Sequence, residues 1–477
     1  MATSVLPANS RSDAAPALLA ALIVLALTLF SPALFNDGDT FWHVRAGEWM
    51  LDHRQVLTRD VFSATYLGKP WMAHEWLSEI VMALVYRAGA WTGVALLFGA
   101  ASGLTAFLLV RRLSFHLDGT ALALVATLCL FLLAPGLLAR PHVLTWPLVL
   151  LWTGLLVQVT GSRQWPGMAW KTALAFVLMA AWANLHGGFL FGLALAGPFV
   201  LEAWLETKGD LKARLSAALF PGLIGVAGLL GALCNPHGVE GVIFPLHLAA
   251  LPILNAIGEW RPPDFTRFQP LDLALAGLAL ALVTGKLRLS PVRLLLVLCL
   301  VALSLQHQRH QMLLGLTAPV LIAEPLGRAF ARRPQIGCPW LARALAAGIG
   351  LVTIGRLLLP VTLTDSPVAP FTALAHVPLK LRSQPVLNDY AFCGLLIFDG
   401  VKPYIDSRAE LYGEAFLEEF QRLNAPDPRR LEAVLSGRGI GWTILSPDSP
   451  LLPLIDKRPG WRRLYADRFA VISTRTP

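Results

Sequence analysis

Charge is scarce in this chain. Of its 477 residues 14% are Asp, Glu, Lys or Arg and 55% are hydrophobic, whereas a soluble protein carries about 25% charged residues. A water-soluble globular fold is excluded, and the chain reads as a polytopic membrane protein. Cysteine is scarce too. The five residues Cys129, Cys234, Cys299, Cys338 and Cys393 include no CxxC and no zinc-finger spacing, so neither a disulfide framework nor a structural zinc site is implied. They read as small buried hydrophobes. A Walker A loop, a GxGxxG after a strand, a GxSxG elbow and an HExxH pair are all missing, which removes the nucleotide, hydrolase and zinc-protease chemistries those motifs carry. No internal repeat is present, as an inverted-repeat transporter would show.

What is abundant is apolar runs. Eleven segments are candidates for spanning helices: 17–35, 92–110, 120–133, 143–159, 170–183, 188–204, 217–234, 271–284, 294–305, 312–323 and 344–359, several of them short against the roughly 20 residues a bilayer asks for. The first lacks a small-residue cleavage site and reads as an uncleaved span. The fifth and sixth, joined only by "NLHGG", form either two spans or a re-entrant pair.

The formal charge of +9 is explained by orientation, not by nucleic acid. Arg11, Arg111, Arg112, Arg163, Lys171, Lys208, Lys212, Arg214, Lys286, Arg288, Arg293, Arg328, Arg332, Arg333 and Arg343 fall in one alternating set of loops. Only Arg140, Arg261, Arg267 and Arg309 fall in the other short ones. The positive-inside rule then puts the N-terminus in the cytoplasm, and the loop 36–91 and the tail after residue 360 outside it. The tail changes character. "PVLNDYAFCGLLIF", "KPYID" and "GWTILS" read as strands, 414–423 and 429–435 as helices. The expected architecture is an all-α membrane domain over 1–360 and a small extracytoplasmic α/β domain over 361–477.

Polar chemistry gathers where the chain leaves the bilayer. In "NDGDTFWHVRAGEWM", Asp37 and Asp39 either hold a divalent cation (Mg or Mn), being hard oxygen ligands, or Asp39 serves as a general base. The plain alternative is that Asp39 caps a helix. Trp42, Ala46, Trp49 and Met50 fall on one face of that helix. Glu75 in "HEW" opens a second helix, with Leu77, Ile80, Val81 and Leu84 as its apolar face, and both helices are expected along the membrane surface. Glu75 is either a working acid or a stabiliser of that helix's N-terminus.

Ten of the eleven histidines lie on the outer side. His43 and His74 are in the first loop; His142, His186, His237 and His310 stand in "RPH", "NLHGG", "NPHG" and "QHQRHQ". Polar side chains at membrane depth face cavities, so an outward-opening cavity is expected, with Asn184 in its wall. Arg140 and Arg309, with His186 and His310, would meet an anionic phosphate, or the arginines snorkel to headgroups. Glu259 and Asp264 in "EWRPPDF" read as parts of a proline-built turn.

The segments "DGDTFWHVRAGEWM", "GKPWMAHEWLSEI", "WANLHGGFLFGL", "NPHGVEG" and "VLNDYAFCGLLIF…PYIDSRAELYG" resemble bacterial membrane glycosyltransferases of the GT-C fold, of the dolichyl-phosphate-mannose mannosyltransferase and lipopolysaccharide-sugar transferase types. The resemblance implies an inverting enzyme of the bacterial inner membrane that uses a polyprenyl-phosphate-linked sugar. Its acceptor would be a lipid, glycan or protein. Asp39 would be base or metal anchor, with Asp37 and Glu75 supporting it. The rival classes are a lipid or glycan flippase and a non-catalytic envelope assembly protein.

Overall fold

The computed structural model describes residues 14–160, 167–252, 258–330 and 338–476. Arg11, Arg163, Arg332 and Arg333, counted above toward the cytoplasmic charge, lie outside them.

The chain is an integral membrane protein of many helices. Helix α1 (Ala15–Phe30) is followed by α2 (Asp39–His53), α3 (Trp76–Leu113), α4 (Gly119–Leu133), α5 (Pro141–Thr160), α6 (Met168–Leu185) and α7 (Phe189–Glu206). Then come α8 (Leu211–Ala232), α9 (Val239–Ala249), α10 (Pro270–Val283), α11 (Pro291–Gln306), α12 (Gln311–Gly327) and α13 (Pro339–Leu358). Among the described residues seven helices are long and apolar enough to cross a membrane, and α1, α9, α10 and α11 are shorter apolar helices. Every one of the eleven expected spans falls on a helix, and "NLHGG" separates two full helices, α6 and α7. Helix α9 is the one apolar helix the span pattern omitted.

Two expectations for the first loop change. Helix α2 does not lie with its apolar face open. Trp42, Ala46 and Met50 are buried, and so are Phe41, His43 and Val44 on its other sides, because it is packed between α3 and the tail. The first turns of α3 are turned otherwise than expected. Ser78, Glu79, Met82 and Ala83 are buried while Leu84 is half exposed, so a carboxylate faces inward, and of the expected apolar face Ile80 packs against the core that the first loop shares with the tail. The surface part of α3 and its span are joined at a kink, Gly89–Ala90, where Ala90 has φ 48°, a left-handed value that few non-glycine residues adopt.

After α13 the tail forms α14 (Phe371–Ala375), α15 (Leu379–Arg382), β1 (Val386–Asn388), α16 (Cys393–Phe398), α17 (Ala409–Leu423) and α18 (Pro428–Gly437). It ends with β2 (Trp442–Leu445), α19 (Leu452–Asp456), β3 (Trp461–Ala466) and β4 (Val471–Arg475). The sheet order is β1-β2-β4-β3, with β1 and β2 parallel and the other pairs antiparallel. "GWTILS" is a strand as expected. "AFCGLLIF" is a buried helix, since a short apolar run has the same composition in either state, and "KPYID" is irregular. Strand β3 escapes the sequence reading because "WRRLYA" is a largely exposed edge with no apolar alternation, while β4, "VISTR", is buried at four of its five residues.

The tail and the first loop share a core. Trp42, Met50, Leu57, Phe62 and Trp71 pack with Leu387, Ile405, Tyr412, Phe416 and Leu435. Backbones touch as well: a Cβ on Gly394 would lie 1.8 Å from the Gly38 carbonyl oxygen, so glycine is required where α16 meets the acidic turn.

Candidate active site

The turns at one end of the bundle converge on a cavity of about 640 Å³. Asp37 and Asp39 open α2, Glu75 precedes α3, Arg140 precedes α5, His186 separates α6 from α7, and Arg309 and His310 separate α11 from α12. Local chemistry fixes these turns. Pro141 starts α5, where its missing N–H is harmless, so Arg140 is the last residue before the helix. The N-cap of α2 is Gly38, not Asp39, and the Asp37 carboxylate accepts the Asp39 N–H at 2.8 Å. The 307–310 turn is tied to the 258–261 turn by Gln308 N–H to Arg261 O at 3.0 Å and by His307 Nδ1 with Trp260 O.

Arg140 is the centre of the polar wall. Its Nη2 is 2.7 Å from Asp39 Oδ2, and its Nη1 is 3.4 Å from Asp37 Oδ2 and 3.1 Å from Glu259 Oε2. The other Glu259 oxygen takes a hydrogen bond from Arg309 at 3.1 Å, and Arg309 lies over the Trp260 ring. Glu259 thus bridges the two arginines. Burial favours its neutral form, but Arg140 and Arg309 prevail and hold it down at about 2. Asp37 goes the other way: burial raises it to about 6 against the opposing pull of Arg140. Asp39 is fully engaged, since its Oδ1 accepts from Ser407 Oγ at 2.5 Å and from Trp42 Nε1 at 3.2 Å.

A second cluster surrounds Glu75. The Nε2 atoms of His43, His74 and His186 lie 3.7, 3.7 and 3.4 Å from its oxygens, and burial raises its carboxyl. His186 Nδ1 accepts the Gly188 N–H at 2.9 Å, so a neutral His186 carries its proton on Nε2, toward Glu75. Burial keeps His43 and His186 well below the usual imidazole range, and burial with Arg309 lowers His310 to about 4. His43 Nδ1 meets Glu79 Oε1 at 3.1 Å.

Two expected cavity residues stand elsewhere. Asn184 ties helices together, accepting from Trp76 Nε1 and donating to Ala180 O and Cys234 O. His237 does not line the cavity; its N–H closes a turn on Asn235. Asp264 is likewise in an exposed turn with Thr266. Glu259, read from sequence as part of a turn, is central. Glu79, Tyr390, Ser407 and Glu410 are not among the residues the sequence points to, whereas Arg408 of "DSRAELYG", which the sequence pairs with Asp406 or sets against an acceptor, does pair with Asp406 at 2.7 Å. Of the first four, only Glu79, one helical turn after Glu75, carried a sequence signal.

The Asp37–Asp39 pair does not fit the divalent cation (Mg or Mn). The Arg140 guanidinium stands against both carboxylates, where it would repel a dication. Among the described residues no group of three or more His, Cys, Asp or Glu could hold an ion.

No family model matches the chain, and no curated protein does. Solved structures do. The crystal structure of ArnT from Cupriavidus metallidurans bound to undecaprenyl phosphate superposes with a TM-score of 0.53, covering 96% of this chain and 97% of that one at 14% identity. ArnT is a GT-C glycosyltransferase. The chain has the GT-C fold. In this GT-C fold the cavity has two kinds of wall: the charged one described above, and an apolar one of Trp146, Leu190, Phe191, Leu246, Met312 and Leu316.

Proposed function

We propose that the protein is an inverting glycosyltransferase of the bacterial inner membrane. It moves a sugar from a polyprenyl-phosphate carrier to a lipid, glycan or protein acceptor outside the cytoplasm. One observation carries the reading: the Arg140–Glu259–Arg309 bridge adjoins an apolar wall in a single cavity. An anionic headgroup on a hydrocarbon chain needs both, and arginine forks match phosphate oxygens. The ArnT structure is bound to undecaprenyl phosphate, which supports the same chemistry here.

In this reading the donor phosphate displaces Glu259 from the arginines. The acceptor hydroxyl attacks C1 opposite the phosphate, the C1–O bond breaks, and its electron pair leaves with the carrier phosphate. A base takes the hydroxyl proton, a contribution of roughly 10²–10⁴-fold. Asp37 suits that role better than Asp39. Its raised carboxyl is ionised near neutrality yet ready to accept a proton, while Asp39 is occupied in anchoring Arg140, Trp42 and Ser407.

The test uses full-length protein in nanodiscs, with undecaprenyl phosphate binding followed by native mass spectrometry and transfer followed from undecaprenyl-phosphate-linked sugars. Arg309→Ala should weaken lipid binding. Asp37→Asn should bind lipid but not turn over. Failure to bind undecaprenyl phosphate, or lipid movement across vesicles with no new glycosidic bond, would overturn the reading.

A further inference from the structure

The cavity is lined by two groups of polar residues. Arg140 and Arg309, which suit a phosphate, are bridged by Glu259. Glu75 and the tail residues Tyr390, Arg408 and Glu410 belong to the same lining. Trp71 Nε1 donates to Glu410 Oε1 at 2.8 Å, which fixes that carboxylate at the cavity wall. Glu75, Glu410 and Tyr390 all line this one cavity.

Arg408 gives this lining its other feature. It is 2% exposed, and its Nη2 is held 2.7 Å from both Asp60 and Asp406. Its Nη1 is buried with no hydrogen-bond partner among the described residues, although Arg408 lines the cavity. A buried N–H left unmade is costly. Because two carboxylates already neutralise the guanidinium, that N–H suits a neutral oxygen and not a second anion. Donors (Arg408, the Tyr390 hydroxyl) and acceptors (Glu410, Glu75) thus line one cavity.

We propose that Tyr390, Arg408 and Glu410 form an acceptor subsite for an uncharged or amino sugar, and that it rejects phosphorylated acceptors. The proposal rests on the transferase reading and names the acceptor as a glycan. A sugar hydroxyl both donates and accepts, as this wall requires, whereas a phosphate would meet Glu410 and Glu75 with no arginine left once the donor holds Arg140 and Arg309. Like-charge juxtaposition of that kind is how wrong partners are suppressed.

Saturation-transfer NMR on the full chain in nanodiscs tests this, with undecaprenyl phosphate added to occupy Arg140 and Arg309 and with methyl glucoside, glucosamine and glucose 6-phosphate as probes. Methyl glucoside and glucosamine should bind. Glu410→Gln and Tyr390→Phe should each weaken them, Glu410→Gln about tenfold for the loss of one charge-assisted hydrogen bond. Glucose 6-phosphate should bind more weakly than either. Equal or tighter binding of glucose 6-phosphate, binding untouched by both substitutions, or no saccharide binding at all would overturn the proposal. Undecaprenyl phosphate is titrated on the same sample. Its failure to bind while the saccharides bind would sink the donor reading alone; lipid binding without saccharide binding would sink the subsite alone.

Discussion

Ser407 donates a hydrogen bond to Asp39 at 2.5 Å across 368 positions of sequence, so the tail directly holds the residue that holds Arg140. Trp42 Nε1 closes the arrangement by reaching both Asp39 and Ser407.

Removing that hydroxyl should therefore loosen Asp39 and, through it, the phosphate-facing arginine. Ser407→Ala is expected to lower sugar transfer about tenfold, the worth of one hydrogen bond to a charged group, while Ser407→Thr restores most of it. Steady-state transfer assays on the two variants measure this. Equal activity of Ser407→Ala and wild type would mean that Asp39 needs no support from the tail.

The pH dependence should follow Asp37. Its folded value is about 6 against 3.8 for the free side chain. Transfer should rise with pH through about 6 as the base becomes ionised, then level off. The sign for stability is opposite. Between pH 3.8 and 6 the folded state binds more protons than the unfolded one, so stability falls as pH rises across that window. Thermal melts of wild type and Asp37→Asn over pH 4–7 should show a shallower slope in the variant, with buried carboxyls such as Glu75 supplying the remainder.

Much of the site was legible because charged and imidazole side chains at helix ends stand out in an apolar chain. Asp37, Asp39, Glu75, Arg140, His186, Arg309 and His310 all reach one cavity. The same contrast misled at Asn184 and His237, because a side chain that satisfies backbone groups in a turn looks identical in sequence to one that faces a cavity. Glu259 was underrated for its prolines, although Pro262 and Pro263 are part of the same turn that presents it to Arg140. Ser407 and Glu410 were illegible in principle, because their partners Asp39 and Trp71 lie hundreds of residues away, whereas Arg408 has one partner, Asp406, two positions off. For the fold, spans were plain from apolar length, while the edge strand β3 had no apolar alternation to betray it.

The two arginines should separate in mutants. Arg140 faces three carboxylates and Arg309 one. Arg140→Ala leaves those acids uncompensated and should destabilise the protein by about 3–5 kcal/mol, as breaking one side of a buried pair does. Arg309→Ala should leave the melting temperature nearly unchanged and weaken undecaprenyl phosphate binding. Melting curves and lipid titrations on both variants decide it; identical melting losses would put the arginines in one structural role.

Orientation is checked by fusion. Alkaline phosphatase joined after residue 360 should be active, and joined near residue 332 inactive, as the loop charge pattern requires. The reverse pattern would move the cavity to the cytoplasmic face and remove the need for a lipid-linked donor.

The last prediction concerns Arg408 as a lock between the first loop and the tail. It joins Asp60 from the loop to Asp406 from the tail, Tyr412 donates to the same Asp406 at 2.8 Å, and the guanidinium lies 4.6 Å from the Trp71 ring centroid. Around this charge network Trp42, Leu57 and Trp71 share a core with Tyr412 and Phe416. Arg408→Met keeps the bulk but strands two buried carboxylates, so a loss of about 3–5 kcal/mol is expected. Adding Asp60→Asn and Asp406→Asn to Arg408→Met removes the stranded charges and should recover part of that loss. Cutting the chain after residue 359 should do more than remove the acceptor side. It uncovers the apolar face of α2 and frees Asp39, so undecaprenyl phosphate binding should be lost with transfer. A truncated protein that still bound the lipid at wild-type affinity would show that the first loop holds its shape alone, and the shared core would then be a docking contact without a part in building the site.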